Sequence, residues 1–198
     1  MTARAVRGLV GVVAAYTLVA AAAIAEAQPV TGLKAAEPQP SAEQLSPGLA
    51  VGYVYGRFNH LKEFVNKKFE PGPFLPHLNW RMGTGLVLTS KEHELVGALI
   101  TGFIRLEKAG TYGFDVTSND GVRIEIGGKL LYEDPTVHGD DTSDRIDVKV
   151  DQPGWYPVKV VYFQKKGTAT LVLRWVPVGS DAKAQPTPVP ASAFARPK

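Results

Sequence analysis

The chain has 198 residues, 44% of them hydrophobic, enough for one ordinary domain with a sizeable core plus tails. Its formal net charge is +3, and its basic residues are interleaved with acids, which excludes a nucleic-acid partner on electrostatic grounds. There is no Cys, so disulfides and a lipid-anchored N-terminal Cys are excluded as well.

Residues 1–27 read as a secretory signal. Arg4 and Arg7 form a charged start, Leu9 to Ile24 is apolar and Ala-rich, and Ala25-Glu26-Ala27 supplies small residues for a cut before Gln28. The rival reading is an uncleaved anchor, but the apolar run is short and weakly hydrophobic beside the roughly 20 apolar residues of a membrane-spanning helix. An exported domain without disulfides suits a bacterial envelope, with a periplasmic or extracellular location. Residues 28–47 mix Pro, Ala, Glu and Gln without periodicity and read as a flexible linker. The folded domain is expected over residues 48–195.

Leu49, Val51, Tyr53 and Tyr55 alternate and give the first strand. Asn59 is placed to cap a short helix carrying Leu61, Phe64, Val65 and Phe69 on one face, with Glu70-Pro-Gly-Pro73 ending it. Residues 74–94 read as loops, with Trp80 and Leu86 to Leu88 turned inward. From Leu95 the pattern is all β. Ile100, Ile104 and Leu106 share a face, and Lys108-Ala-Gly110 turns the chain. Tyr112, Phe114 and Val116 alternate with polar or small residues, as do Val122, Ile124 and Ile126, which predicts two half-buried strands joined by Asn119-Asp120-Gly121. An Asp-Gly step tolerates the positive φ of a tight turn, and Gly127-Gly128 closes the next hairpin. Lys129 to Tyr132 is a short strand, and Glu133 to Asp144 an acidic loop. Strands then follow at Ile146 to Val150, at Val158 to Tyr162 and at Leu171 to Trp175, separated by Gln152-Pro-Gly154 and Lys165-Lys-Gly167. The expectation is an all-β fold, an antiparallel β-sandwich or barrel with one short helix.

Three kinds of chemistry compete for the polar residues. Calcium needs six to eight hard oxygens. Asn119 and Asp120 supply two side chains on one turn, and Asp134, Asp140, Asp141 and Asp144 follow two short strands later, so Asn119, Asp120, Asp140 and Asp141 are the candidate metal ligands. The plainer reading is that Asn119 and Asp120 only make the turn. A sugar platform needs an aromatic face beside directional polar groups, for which Tyr132, leading into the acidic loop, is the best candidate. Trp80, Trp155 and Tyr156 are also available. Catalysis would use His138 beside Asp140 and Asp141. No Gly-x-Ser-x-Gly elbow or His-Glu-x-x-His helix is present, and His60, His77 and His93 lack metal-ligand spacing. An enzyme is therefore not expected, and His138 reads as a loop residue that could at most contribute to ligand binding.

The order Gly110-x-Tyr112-x-Phe114, Ser118-Asn-Asp-Gly121-x-Arg123, Ile126-Gly-Gly-Lys129, Pro153-Gly-Trp-Tyr156 and Thr170-Leu-Val-Leu-Arg-Trp175 resembles the protective-antigen (PA-fourteen) domain family from about Gly48 to Phe194. The resemblance implies a β-sandwich module of the kind attached to toxins, glycosidases and adhesins, several of which bind carbohydrate. It also implies a C-terminal segment that returns Phe194 to the body. In the family's adhesin branch, two adjacent Asp residues joined by a cis peptide hold a calcium ion that in turn holds sugar hydroxyls. Asn119-Asp120 occupies that position, with an amide in place of the first acid. Gly127 stands where the family often has another Asp. The expected function is a non-catalytic binding module for a glycan or cell-envelope polysaccharide, with calcium as a candidate cofactor. The alternative is a structural module that contacts an envelope protein.

Overall fold

The computed structural model describes residues 28–181 and 183–198; the secretory-signal reading of residues 1–27 falls outside the described residues. The strands, in chain order, are β1 (Leu45–Pro47), β2 (Leu49–Tyr55), β3 (Glu70–Leu75), β4 (Asn79–Gly83), β5 (Val96–Leu106), β6 (Gly110–Asn119) and β7 (Val122–Ile126). They continue as β8 (Lys129–Asp134), β9 (Asp141–Thr142), β10 (Ile146–Val150), β11 (Gly154–Gln164), β12 (Ala169–Val176), β13 (Thr187–Pro188) and β14 (Phe194–Pro197). One sheet runs β1-β14-β5-β11-β7-β8, with β2 also on β5 and β3 on β2; the other runs β10-β6-β12-β13, with β4 also on β12 and β9 on β6. Neighbouring strands pair antiparallel throughout.

The two inner faces supply one core. Ile100, Ile124 and Val160 sit side by side across the first sheet, and Phe114, Val116, Leu171 and Leu173 come from the second. All seven are fully buried, and each such side chain contributes roughly 1.5–3 kcal/mol relative to exposure. This is the sandwich that period-two alternation predicts.

β6 departs from the expected half-buried strand, because its outer face is buried too. Asp115 and Thr117 point that way, and Arg174 on β12 covers them, its Nε donating to Asp115 Oδ1 at 2.6 Å and its Nη2 to Thr117 Oγ1 at 3.1 Å. The Thr117 and Thr142 hydroxyls are 2.8 Å apart. A polar outer face is buried here because it is paired, which alternation alone does not reveal.

The expected helix shrinks to a 3-10 turn over Leu61–Phe64. His60, not Asn59, caps it, with the Lys62 backbone N–H donating to His60 Nδ1, while Glu63 accepts from the Asn59 and His60 backbone N–H groups. Leu61 and Phe64 pack with Phe58 and Phe163 in a small separate cluster, whereas Val65 is 71% exposed. Glu70-Pro-Gly-Pro73 does not merely stop a helix; it opens β3, an edge strand where the missing Pro N–H groups do no harm. Within 74–94, Val87 and Leu88 are buried and Trp80 half-buried as expected, but Leu86 is 45% exposed and β4 adds a strand.

The flexible linker expected over 28–47 is instead a strap along the sandwich. Val30 exchanges backbone bonds with Asp147 and Lys149, Lys34 N–H donates to Gly127, and Ala36 N–H donates to Trp155. The Gln39 side chain clips onto the Trp155 backbone, donating to its carbonyl and accepting from its N–H at 2.7 Å. β1 then pairs with β14, and Phe194 returns to the core opposite Ile104. Composition misses the strap because backbone groups hold it, and these are the same for every residue but Pro.

Candidate functional site

β6 and β7 belong to different sheets, so Asn119-Asp120-Gly121 carries the chain across one end of the sandwich rather than closing a hairpin. The Asn119–Asp120 peptide is cis. A Cβ on Gly121 would strike the Phe163 ring, which explains the Gly there without any positive φ. By contrast Gly127 and Gly128, closing the β7–β8 hairpin, take φ of 57° and 72°. The end of β11 clamps the crossing. Tyr162 Oη donates to the Asn119 carbonyl at 2.6 Å, Asp120 N–H donates to the Phe163 carbonyl, and Phe163 N–H donates to the Gly121 carbonyl.

Asp120 is 2% exposed. Its Oδ1 accepts the His138 backbone N–H at 3.1 Å and its Oδ2 the Lys165 backbone N–H at 2.8 Å. One carboxylate thus ties the crossing to the acidic loop and to the β11–β12 loop. Burial pushes its pKa up from the ordinary carboxylate value, while the two backbone bonds pull the other way. Asn119, 5% exposed, donates through Nδ2 to Asp140 Oδ1 at 3.0 Å and to Thr168 Oγ1 at 3.1 Å. Asp140 Oδ2 accepts from Thr170 Oγ1 at 3.0 Å, and Arg81 Nη1 stands 3.8 Å away. The Asp140 carboxylate and Arg81 remain about half exposed, so this cluster has a buried base and an open top.

The structure therefore brings together Asn119, Asp120, Asp140 and the backbone of His138. The His138 ring turns elsewhere: Nδ1 donates to the Gly139 carbonyl, and Nε2 lies 3.3 Å from Asp134 Oδ2 without a well-aligned bond. Its carboxylate neighbour is thus Asp134, not the Asp140-Asp141 pair. Asp141 stands apart from the cluster, its Oδ1 accepting the Thr142 backbone N–H, with β9 paired to Thr117 and Ser118. Tyr132 is half-buried on β8, and burial, followed by the charges of Asp134 and Asp141, raises its pKa. Arg81, Thr168 and Thr170 complete the cluster and escaped the sequence reading. Arg81 arrives because β4 pairs with β12 and sets it opposite Thr170, in a stretch with no readable pattern.

These donors do not fit a calcium ion as they stand. Asn119 presents its NH₂ side to Asp140, and Arg81 adds positive charge beside it. Among the described residues, no three His, Cys, Asp or Glu side chains converge on a metal-sized position. What the cluster does offer is an anchored carboxylate acceptor, a guanidinium donor and a Thr hydroxyl on one open surface, an alternation suited to vicinal hydroxyls.

The chain is thus a two-sheet antiparallel sandwich with a polar, loop-built end. The PA14 domain family profile matches residues 89–187, half of the chain, and the chain belongs to that family. Among solved structures it is similar to the crystal structure of the PA14 domain of the antifreeze protein MpAFP, at 17% identity and TM-score 0.63, over 81% of this chain and 96% of that one. It is similar to the PA14 sugar-binding domain from an RTX adhesin, at 18% identity and TM-score 0.59, over 76% and 98%. It is also similar to the epithelial adhesin 9 A domain from Candida glabrata in complex with Galb1-4GlcNAc, at 11% identity and TM-score 0.64, over 85% and 96%. At these identities the likeness establishes the fold. No match was found among curated protein sequences.

Proposed function

We propose that this chain is an exported, non-catalytic carbohydrate-binding module whose glycan face is the end of the sandwich around Asn119 and Asp140. The observation that carries the reading is the Asp140 carboxylate, half exposed yet held by Asn119 and Thr170 and flanked by Arg81. An acceptor fixed before the ligand arrives loses little freedom on binding, and a neighbouring cation supplies the matching donor. Two of the similar structures are a sugar-binding domain and an adhesin domain in complex with a disaccharide, which supports the ligand class. Tyr132, half-buried on the strand that leads into the acidic loop, is the candidate stacking face. Binding in this reading runs through the Asp140 carboxylate and the Arg81 guanidinium rather than through calcium.

A glycan array run with calcium and with a chelator tests both parts. The expected result is binding to a subset of glycans that survives the chelator and is lost in Asp140→Ala while the far-ultraviolet spectrum of the variant stays that of the folded sandwich. Binding that appears only with calcium would overturn the calcium-free part. Absence of binding to every glycan under both conditions would overturn the reading itself.

A further inference from the structure

The opposite end of the sandwich carries a second constellation. Asn119 and Thr170 are paired at one end of the β6–β12 ladder, and Phe114 and Trp175 at the other. Five residues of extended strand put these ends roughly 17 Å apart. There, a cavity of about 350 Å³ is lined by Trp175, Tyr112, Arg105, Lys108 and Ser192 among others. A neighbouring cavity of about 400 Å³ is lined by Trp155 and shares Arg105 and Ser192 with the first. Each lies near the lower end of the size range of small-molecule sites, and Arg105 and Ser192 stand in the wall of both.

The polar atoms in this cleft are open in a way that packing does not require. Trp80 donates its indole N–H to the His77 carbonyl, but the indole N–H groups of Trp155 and Trp175 have no acceptor among the described residues, and both reach solvent. Tyr112 Oη accepts the Lys108 backbone N–H at 3.1 Å, and its own proton has no acceptor among the described residues. Arg105 stacks 5.6 Å from the Trp155 ring centre. Neither Arg105 nor Lys108 forms an ion pair among the described residues, while Glu107 is the one acid lining the first cavity. Indole faces take the C–H face of a sugar ring, indole and phenol donors take its hydroxyls, and unpaired Arg and Lys take an anion.

We infer that the Trp175–Arg105–Trp155 cleft is a second glycan site, built for a short oligosaccharide that carries carboxylates. One sugar ring lies at Trp175 and the next at Trp155, with a carboxylate between them on Arg105 and Lys108 at the edge. The site is separate from the Asp140 cluster and does not depend on it.

The test is titration calorimetry of the full chain with tri-galacturonic acid and with its methyl ester, which has the same shape without the charge. The acid should bind, and the ester about tenfold or more weaker, the effect of losing one charge-assisted bond. Arg105→Gln and Lys108→Gln should each weaken the acid and leave the ester unchanged, and Trp155→Ala should weaken both. Asp140→Ala should leave acid binding intact, which separates failure here from failure at the other end. No binding of the acid at millimolar concentration, equal binding of acid and ester, or loss of acid binding in Asp140→Ala would each overturn the inference. Lys108→Gln keeps it falsifiable should Arg105→Gln fail to fold, because Lys108 is exposed and makes no ion pair among the described residues.

Discussion

Asp120 is the residue whose role changes most between sequence and structure. Its type and neighbours mark it as a ligand; its bonds to the His138 and Lys165 backbones, 18 and 45 residues away, make it a brace. Asp120→Asn leaves one acceptor oxygen and sets an NH₂ against the other N–H, so it should cost about 1–3 kcal/mol in urea denaturation. The pH dependence is opposite to that of a salt-bridged Asp. Because burial raises the folded pKa above the unfolded 3.8, stability linked to Asp120 is full below that value and declines as pH rises through the folded pKa. Carbon-13 titration of the Asp120 carboxyl should show the raised midpoint, and one at or below 3.8 would contradict it. Trp175 is half-buried at the far end of the β6–β12 ladder, its ring 5.7 Å from Tyr112 and 6.2 Å from Phe114. Trp175→Ala should therefore cost about 3 kcal/mol, the low end for a buried Trp.

Among the elements, the strap and β6 depend most on tertiary structure. If residues 28–47 were a free linker, their amides would exchange with solvent at the rate of an unstructured chain. The bonds from Lys34 to Gly127 and from Ala36 to Trp155 predict slow exchange at both amides in a hydrogen–deuterium experiment. Gln39→Ala should release the strap at Trp155 and speed exchange at Ala36, at a cost of about 1 kcal/mol. On β6, Arg174→Ala would strand the Asp115 carboxylate on a covered face. A loss of roughly 2 kcal/mol is expected, and a larger loss than Asp115→Ala in the same denaturation series. Alternation located these strands because one face of each is apolar. It was silent on the second face, whose burial comes from residues about 60 positions further along.

For the whole molecule, the C-terminal segment closes the sandwich. β14 pairs with both β1 and β5 and places the buried Phe194 opposite Ile104. Phe194→Ala should lower stability by about 3–5 kcal/mol, a change visible as a drop of several degrees in the melting temperature. For the segment outside the described residues, intact-mass measurement of the exported chain should give a species beginning at Gln28.

The all-β class and the long strands between Val96 and Val176 are legible in the amino-acid sequence alone, as is the junction at Asn119-Asp120. Period-two alternation, turn residues and the motif order are local signals, written within ten or so residues. Not legible there are that the 119–121 turn joins two sheets, that 28–47 is held against the body, that Arg81 and Thr170 flank Asp140 and that Thr168 accepts from Asn119. Those facts rest on pairings between residues from 30 to more than 100 positions apart. Nothing in a short window encodes such a pairing, because each partner satisfies its hydrogen bonds equally well with water until the chain is folded.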